Sequence, residues 1–330
     1  MEKIRKAALV GAGSLGIMYG QRLTEVFGKE SVCFVADRER IRRYEGKGLY
    51  FNGNCCDFRY IESGYSLEKA DLIIIAVKYT GLPEALEAVA GLVHPETIII
   101  SLINGITSEN MIARAFGSEH VLYCIAQEMD ATKTGNLVEA SSLGYLVFND
   151  KTGAETEQVR LLKEYLDRAG IPYRTPEDII YAQWDKLVFN VGLNQSSAVF
   201  SANYGEVRKP GRPREVMEAA MREAVRAANA EGIPLTEDNI SRWMERLERL
   251  SPSGMPSMMQ DTRDGRKTEV ELFSGTIREL GRRHGFETPV NDWLYQQIQE
   301  IERRTADLRS PEQAEKNDTH TRIPECKSRK

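Results

Sequence analysis

Short apolar runs alternate with helical patterns through the first half of the chain. Residues 4–10 form a strand-like run that ends at a glycine, and residues 14–27 repeat apolar positions at helical spacing. A second strand-like run covers 32–36. Residues 72–77 and 97–102 are apolar and β-branched without alternation, the pattern of strands buried on both faces. A helix over about 82–92 separates them. Residues 121–126, 136–140 and 143–148 continue the strand signal, with the last two expected to pair as an antiparallel hairpin. A helix over 156–169 and a short strand over 171–174 close this part. Strand and helix in alternation predict an α/β architecture, a doubly wound parallel sheet covered by helices.

Beyond Pro176 the period changes. Strand signals nearly vanish, and helical patterns run over 178–200, 214–231, 236–250, 268–284 and 290–304. Pro172, Pro176, Pro234, Pro252 and Pro289 punctuate them. The expected organisation is a nucleotide-binding domain over 1–175 and an all-helical C-terminal domain over 176–308. From about Arg309 the chain is nearly all polar and reads as a disordered tail to residue 330. Deleting that tail is expected to leave kcat/KM unchanged.

Bulk composition narrows the function classes. The 330 residues suffice for two domains with their own cores. The 44 basic and 49 acidic residues give a net charge of -5, which offers nothing to nucleic acid or an anionic membrane. No apolar run approaches the length of a membrane span, and the first strand begins too early to leave room for a signal peptide. Five cysteines, odd in number and scattered, read as plain thiols of a cytoplasmic protein. Cys55-Cys56 is an adjacent pair in a polar loop. The four histidines have no ligand spacing, so no metal is expected.

The chemistry begins at Gly11-Ala12-Gly13-Ser14-Leu15-Gly16, which follows a strand and opens a helix. The first glycine permits the tight turn, the second lets backbone approach a pyrophosphate, and the third lets helix and strand pack closely. The helix start, with Ser14 and Leu15 in it, then offers N–H groups and a positive dipole to phosphates. The alternative is a tight strand–helix turn without ligand. Asp37 ends the second strand, where an acid accepts the ribose hydroxyls of NAD and repels the 2′-phosphate of NADP. Arg38 follows at once and could hold that phosphate in bidentate fashion, or simply belong to a solvated helix face. NAD versus NADP stays open. Lys78 and Asn104-Gly105 each end a strand and are expected to face the nicotinamide half of the cofactor.

A second constellation lies on one predicted helix. Lys186, Asn190 and Asn194 are spaced by four and form one row over two turns. Apolar residues fence that row on both sides: Leu187 and Val191 on one, Phe189 and Leu193 on the other. A solvated face is not normally fenced in this way. A lysine and two amides there read as the lining of a polar pocket, against the plainer alternative of a snorkelling surface lysine.

Together these segments resemble the ketopantoate reductase (2-dehydropantoate 2-reductase) family. The glycine motif, Ala76-Val77-Lys78, Asn104-Gly105, the lysine helix and the stretch Ser257-Met258-Met259-Gln260-Asp261 with Thr268-Glu269 recur in this order, over about residues 1–305. The resemblance implies an N-terminal Rossmann-like domain and a helical C-terminal domain. It implies that Lys186 is the general acid that protonates the ketone oxygen, and that Glu269 hydrogen-bonds substrate and supports the lysine. It further implies substrate contacts by Asn190, Asn194 and Ser257, and roles for Lys78 and Asn104 in contacting cofactor and positioning the reacting groups. NADPH is the family expectation, and Asp37 makes NADH the alternative. The chemistry is sound on its own terms, because a cationic donor stabilises the alkoxide formed by hydride addition and supplies its proton.

Two departures bear on the substrate. Tyr204 stands where the family commonly has a substrate-binding asparagine. The stretch Ala126-Gln127-Glu128-Met129-Asp130 lacks the small, glycine-containing pattern common there. The leading expectation is NAD(P)H-dependent reduction of ketopantoate to D-pantoate, on the way to pantothenate and coenzyme A. The first alternative is an NAD-dependent D-2-hydroxyacid dehydrogenase of the same fold acting on another branched 2-oxoacid. The second, of another class, is a non-catalytic dinucleotide sensor. A homodimer is expected because dimers occur in the family.

Overall fold

Runs of β-branched residues make the strands of the first unit in the computed structural model, which describes residues 2–64 and 68–308, with side chains to 306. The expected tail over 309–330 lies outside the described residues. The chain divides into two compact units at Ile180 and Tyr181.

The strands of the first unit are β1 (Ala7–Val10), β2 (Val32–Ala36), β3 (Tyr50–Phe51), β4 (Asn54–Cys55), β5 (Arg59–Glu62), β6 (Leu72–Ile75), β7 (Ile98–Ser101), β8 (Val121–Gln127), β9 (Thr132–Thr134), β10 (Leu137–Glu139), β11 (Tyr145–Asn149) and β12 (Tyr173–Arg174). Eight of them form one sheet in the order β12-β11-β8-β7-β6-β1-β2-β5. From β5 to β8 every pairing is parallel. Its chain order is that of a dinucleotide-binding sheet, with the switch point between β1 and β6. The two strands at the switch point, Ala7–Val10 and Leu72–Ile75, are buried at every position, as strands covered on both faces must be. The helices are α1 (Ser14–Phe27), α2 (Arg38–Lys47), α3 (Leu82–Val89), α4 (Ser108–Phe116) and α5 (Glu157–Ala169).

The hairpin expected from 136–140 and 143–148 does not form. Leu137–Glu139 pairs instead with Thr132–Thr134, across a two-residue Gly135-Asn136 turn with Gly135 at φ 60°. A glycine–asparagine turn of this length suits the twist of antiparallel strands. Tyr145–Asn149 pairs antiparallel with β8. The β9–β10 ribbon then joins β3 and β4 in a second sheet, ordered β4-β3-β10-β9. Cys33, Cys56 and Cys124 are buried and form no disulfide. Cys55, the exposed member of its pair, is disulfide-bonded rather than a plain thiol.

The second unit is helical among its described residues, built on α6 (Ile179–Phe200), α7 (Tyr204–Val207), α8 (Arg212–Ala230), α9 (Glu237–Arg249), α10 (Ser257–Arg263), α11 (Thr276–His284) and α12 (Pro289–Leu308). Just before α11 the backbone makes one π-helical turn, Glu271–Gly275. Residues 187–198 of α6 are buried without interruption, so this helix is enclosed on all sides. Gly192 lets α8 approach: a Cβ there would lie 2.4 Å from Met221 Cγ and 2.8 Å from the Met217 carbonyl. Among the described residues no helix is long and apolar enough to cross a membrane.

Candidate active site

The glycine turn after β1 is shaped by two collisions and one ordinary contact. Gly11 sits at φ 103°, and a Cβ on it would meet the Ala76 carbonyl at 2.5 Å. A Cβ on Gly16 would lie 1.9 Å from the Gly11 carbonyl oxygen. Gly13 differs, because a Cβ there would meet no protein atom closer than the Ala76 carbonyl at 3.6 Å. The fold therefore demands the first and third glycines but not the second. What the second admits is backbone approach by something outside the chain, which is how a pyrophosphate is held. Gly13 also caps α1 without a side-chain hydrogen bond, and the first turn, with Ser14 and Leu15, carries no acid. That end of the helix is suited to an anion.

Residues at the ends of the neighbouring parallel strands share this edge of the sheet. Asp37 follows β2 in extended conformation and caps α2, its Oδ1 accepting the Arg40 N–H at 2.7 Å. Its Oδ2 lies 3.3 Å from Arg40 Nε. Arg38 lies 3.7 Å from Glu62 and its side chain is 71% exposed. Lys78 follows β6 as an exposed residue whose carbonyl accepts the Gly81 N–H at 2.8 Å. Asn104 follows β7, half-buried, before Gly105 at φ 94°. Sequence reasoning missed one cation here. Lys133, on β9, donates from Nζ to the Ala12 carbonyl and so places an ammonium against the glycine turn. The ribbon that carries it was legible only through its Gly135-Asn136 turn.

In the second unit three of the expected substrate residues meet. Asn194 Oδ1 accepts the Ser257 hydroxyl at 3.1 Å and the Met258 N–H at 3.3 Å, so it also serves the start of α10. Asn194 Nδ2 donates to Asn190 Oδ1 at 3.2 Å. A backbone N–H only donates, so Asn194 must turn its oxygen that way and its amide hydrogens toward Asn190. Asn190 in turn presents Oδ1 to Asn194, which leaves its Nδ2 hydrogens for an acceptor elsewhere. Both asparagines are buried, and Lys186, one turn before them, is half-buried. Burial pushes the carboxyl of neighbouring Asp185 upward, although it accepts from Asn239 Nδ2 at 2.7 Å.

Glu269 is half-buried and lies two residues before the π turn, separated from it by Val270. Thr268 beside it is held from α12, its N–H and hydroxyl both donating to Glu302 Oε1, at 2.7 and 2.6 Å. Tyr204 donates its N–H to the Gly254 carbonyl at 3.0 Å, and a Cβ on Gly254 would lie 2.8 Å from the tyrosine ring. Tyr204 thus packs on the loop that leads into Ser257. Burial pushes its phenol upward.

Known proteins resemble the chain over most of its length. Residues 7–151 match the family described as ketopantoate reductase PanE/ApbA, and residues 178–302 match its C-terminal domain. The chain is 27% identical over 303 residues to a 2-dehydropantoate 2-reductase from Aquifex aeolicus, covering 89% of this chain and 96% of that protein. Its fold is similar to that of a D-mandelate dehydrogenase solved in complex with NADH, at a TM-score of 0.82 and 22% identity, over 91% of this chain and 99% of the other. It is also similar to a dimeric ketopantoate reductase from Staphylococcus aureus, at a TM-score of 0.77 and 21% identity, over 91% and 99% of the two chains. With both segments matched in order, and with the dinucleotide-type sheet and helical second unit they require, the chain belongs to the ketopantoate reductase family.

Proposed function

We propose that the chain reduces a branched 2-oxoacid with NAD(P)H, ketopantoate first among them, giving D-pantoate for pantothenate and coenzyme A synthesis. When bound, the reduced nicotinamide supplies the hydride. Lys186 gives the proton to the ketone oxygen, and Glu269 keeps the lysine in its charged form, since a nearby carboxylate favours the ammonium. The observation that carries the reading is the directed amide chain from Ser257 through Asn194 to Asn190, on the same helix as Lys186. It leaves Asn190 as a hydrogen-bond donor, which suits the carboxylate of a 2-oxoacid. On the nucleotide side, a glycine at position 13 that the fold does not require and the start of α1 without a side-chain cap suit a pyrophosphate, with Lys133 a further cation beside it. Lys78 and Asn104 are assigned to the nicotinamide half.

The test is Lys186→Ala, which should lower kcat by about 10²-fold or more. Near-normal turnover would rule out the mechanism.

A second reading, an NAD-dependent D-2-hydroxyacid dehydrogenase acting on another branched 2-oxoacid, is favoured by Tyr204 and Asp37. An aromatic ring packed against Gly254, in the loop that leads into Ser257, suits a more apolar substrate, and a carboxylate at the ribose suits NADH. The D-mandelate dehydrogenase with NADH supports the same direction. Initial rates with a panel of 2-oxoacids, each under NADH and NADPH, separate the two. Cofactor binding without turnover on any of them would point to the dinucleotide sensor instead. The enzyme is further proposed to act in the cytoplasm as a homodimer, as the dimeric Staphylococcus aureus relative suggests. A sedimentation mass of one chain would sink the dimer.

A further inference from the structure

The π turn has a consequence for α6. In an α-helix the Ser274 N–H would donate to the Val270 carbonyl. Here the Gly275 N–H takes that carbonyl at 3.0 Å, and the Ser274 N–H is displaced from the ladder. It donates instead to Gln195 Oε1 at 3.1 Å. The rest of the glutamine is equally committed. Its Nε2 donates to the Val191 carbonyl at 2.7 Å and to Asn291 Oδ1 at 3.4 Å. Asn291 Oδ1 also accepts the Ser274 hydroxyl at 3.0 Å, and Asn291 Nδ2 donates to Glu223 Oε2 at 2.8 Å. Gln195, Ser274 and Asn291 are fully buried. Every partner in this chain is a donor facing an acceptor, so the amide orientations are determined without ambiguity.

We propose that Gln195 is the positioning residue for Glu269, an inference that rests on the reading of Lys186 and Glu269 given above. Gln195 sits on α6, the helix of Lys186, and accepts an N–H that leaves the helix ladder because the turn after Glu269 is a π turn. Remove that acceptor and the buried Ser274 N–H is orphaned. The turn then gains by relaxing to the α register, which rotates residues on one side of it by about 100° relative to the other. Thr268 is clamped by Glu302, so Glu269 lies between two fixed points and takes up the change.

The test is a double-mutant cycle read by kcat and its pH profile. Gln195→Met removes the acceptor, and the two Nε2 donations with it, while conserving length, and should lower kcat by about 10-fold or more, the scale of a lost buried hydrogen bond. It should also move the high-pH limb of kcat downward, in the same direction as Glu269→Gln, because an ammonium without its carboxylate loses its proton at lower pH. In the Glu269→Gln background the same substitution should cost less than about 2-fold, because the group it acts through is gone. Gln195→Glu should restore kcat to within about 3-fold, since a carboxyl buried there is held protonated, accepts the Ser274 N–H and donates its one proton to the Val191 carbonyl. Should Gln195→Met fail to fold, Gln195→Asn, one methylene short of the Ser274 N–H, carries the same expectations. Equal losses in both backgrounds, or an unmoved limb, would overturn the role of Gln195 while leaving Glu269 in place. A silent Glu269→Gln would sink the reading of the site and this proposal with it.

Discussion

At the residue scale, the glycine turn separates what the fold needs from what a ligand needs. Gly13 has φ -79° and ψ -171°, a conformation open to alanine, and room for a Cβ. Gly13→Ala should therefore change unfolding stability by less than about 0.5 kcal/mol. The added methyl should nonetheless weaken NADH and NADPH binding by about 10-fold or more, because it holds the pyrophosphate off the backbone. Gly16→Ala should do the reverse, losing about 1–3 kcal/mol of stability to overpacking against the Gly11 carbonyl. Urea unfolding and a cofactor fluorescence titration read the two effects apart. Normal binding by Gly13→Ala would remove the nucleotide from this turn. The row of Lys186, Asn190 and Asn194 was visible in the sequence because four-residue spacing is a local signal, and the contact between Asn190 and Asn194 is intrahelical. Gln195 was not, because the N–H it serves lies 79 positions along the chain and arises from a backbone irregularity. Lys133 was missed for the same reason, since its acceptor is 121 positions away.

At the element scale, Asp37 serves two masters, the start of α2 and the assigned ribose. Asparagine caps a helix as well as aspartate, so Asp37→Asn should hold stability within about 0.5 kcal/mol. Its lost charge no longer repels a 2′-phosphate, and the NADPH-to-NADH ratio of kcat/KM should rise by about 10-fold. An unchanged ratio would reduce Asp37 to a cap. The densely apolar elements were legible: the buried strands β6 and β7, and the enclosed helix α6, fall within a residue or two of the expected bounds. Strands without an unbroken apolar run escaped. Arg59–Glu62 is half-exposed, so its apolar content is too low to announce a strand, yet it forms the sheet edge beside β2. The Asn52-Gly53 turn, with both residues at positive φ, marks the β3–β4 hairpin and was read only as polar loop. A helix spanning 268–284 was expected as one piece. The π turn interrupts it because Val270 bonds forward by five residues, a geometry that apolar spacing alone does not distinguish from an α turn.

At the scale of the whole molecule, the core of the first unit sets how the protein responds to alkali. Cys33 donates weakly to the Ala7 carbonyl at 3.8 Å, and burial pushes its thiol up to about 11. Burial pushes the phenols of Tyr19 and Tyr165 higher still, beyond the normal tyrosine range. In the unfolded chain a thiol ionises near about 8.5 and a phenol near about 10. Each group's folded value is therefore raised, so the folded state holds more protons than the unfolded state in that window. The stability these groups contribute is complete below the unfolded values and is lost as pH rises toward the folded ones. Unfolding free energy should thus fall above about pH 9, each group adding at most about 1.4 kcal/mol per pH unit to the slope. Cys33→Ala isolates one contributor. At neutral pH the variant should be the less stable protein, because a buried sulfur is gone. Between about pH 9 and pH 11 the wild-type advantage should shrink, because only the wild type must keep a thiol protonated to stay folded. Urea titrations of both proteins across that range read the difference directly. A gap that stays constant with pH would mean that the Cys33 thiol ionises as readily in the folded core as in the open chain, and the alkaline slope would then have to come from the other buried groups, the Cys56 thiol and the buried phenols.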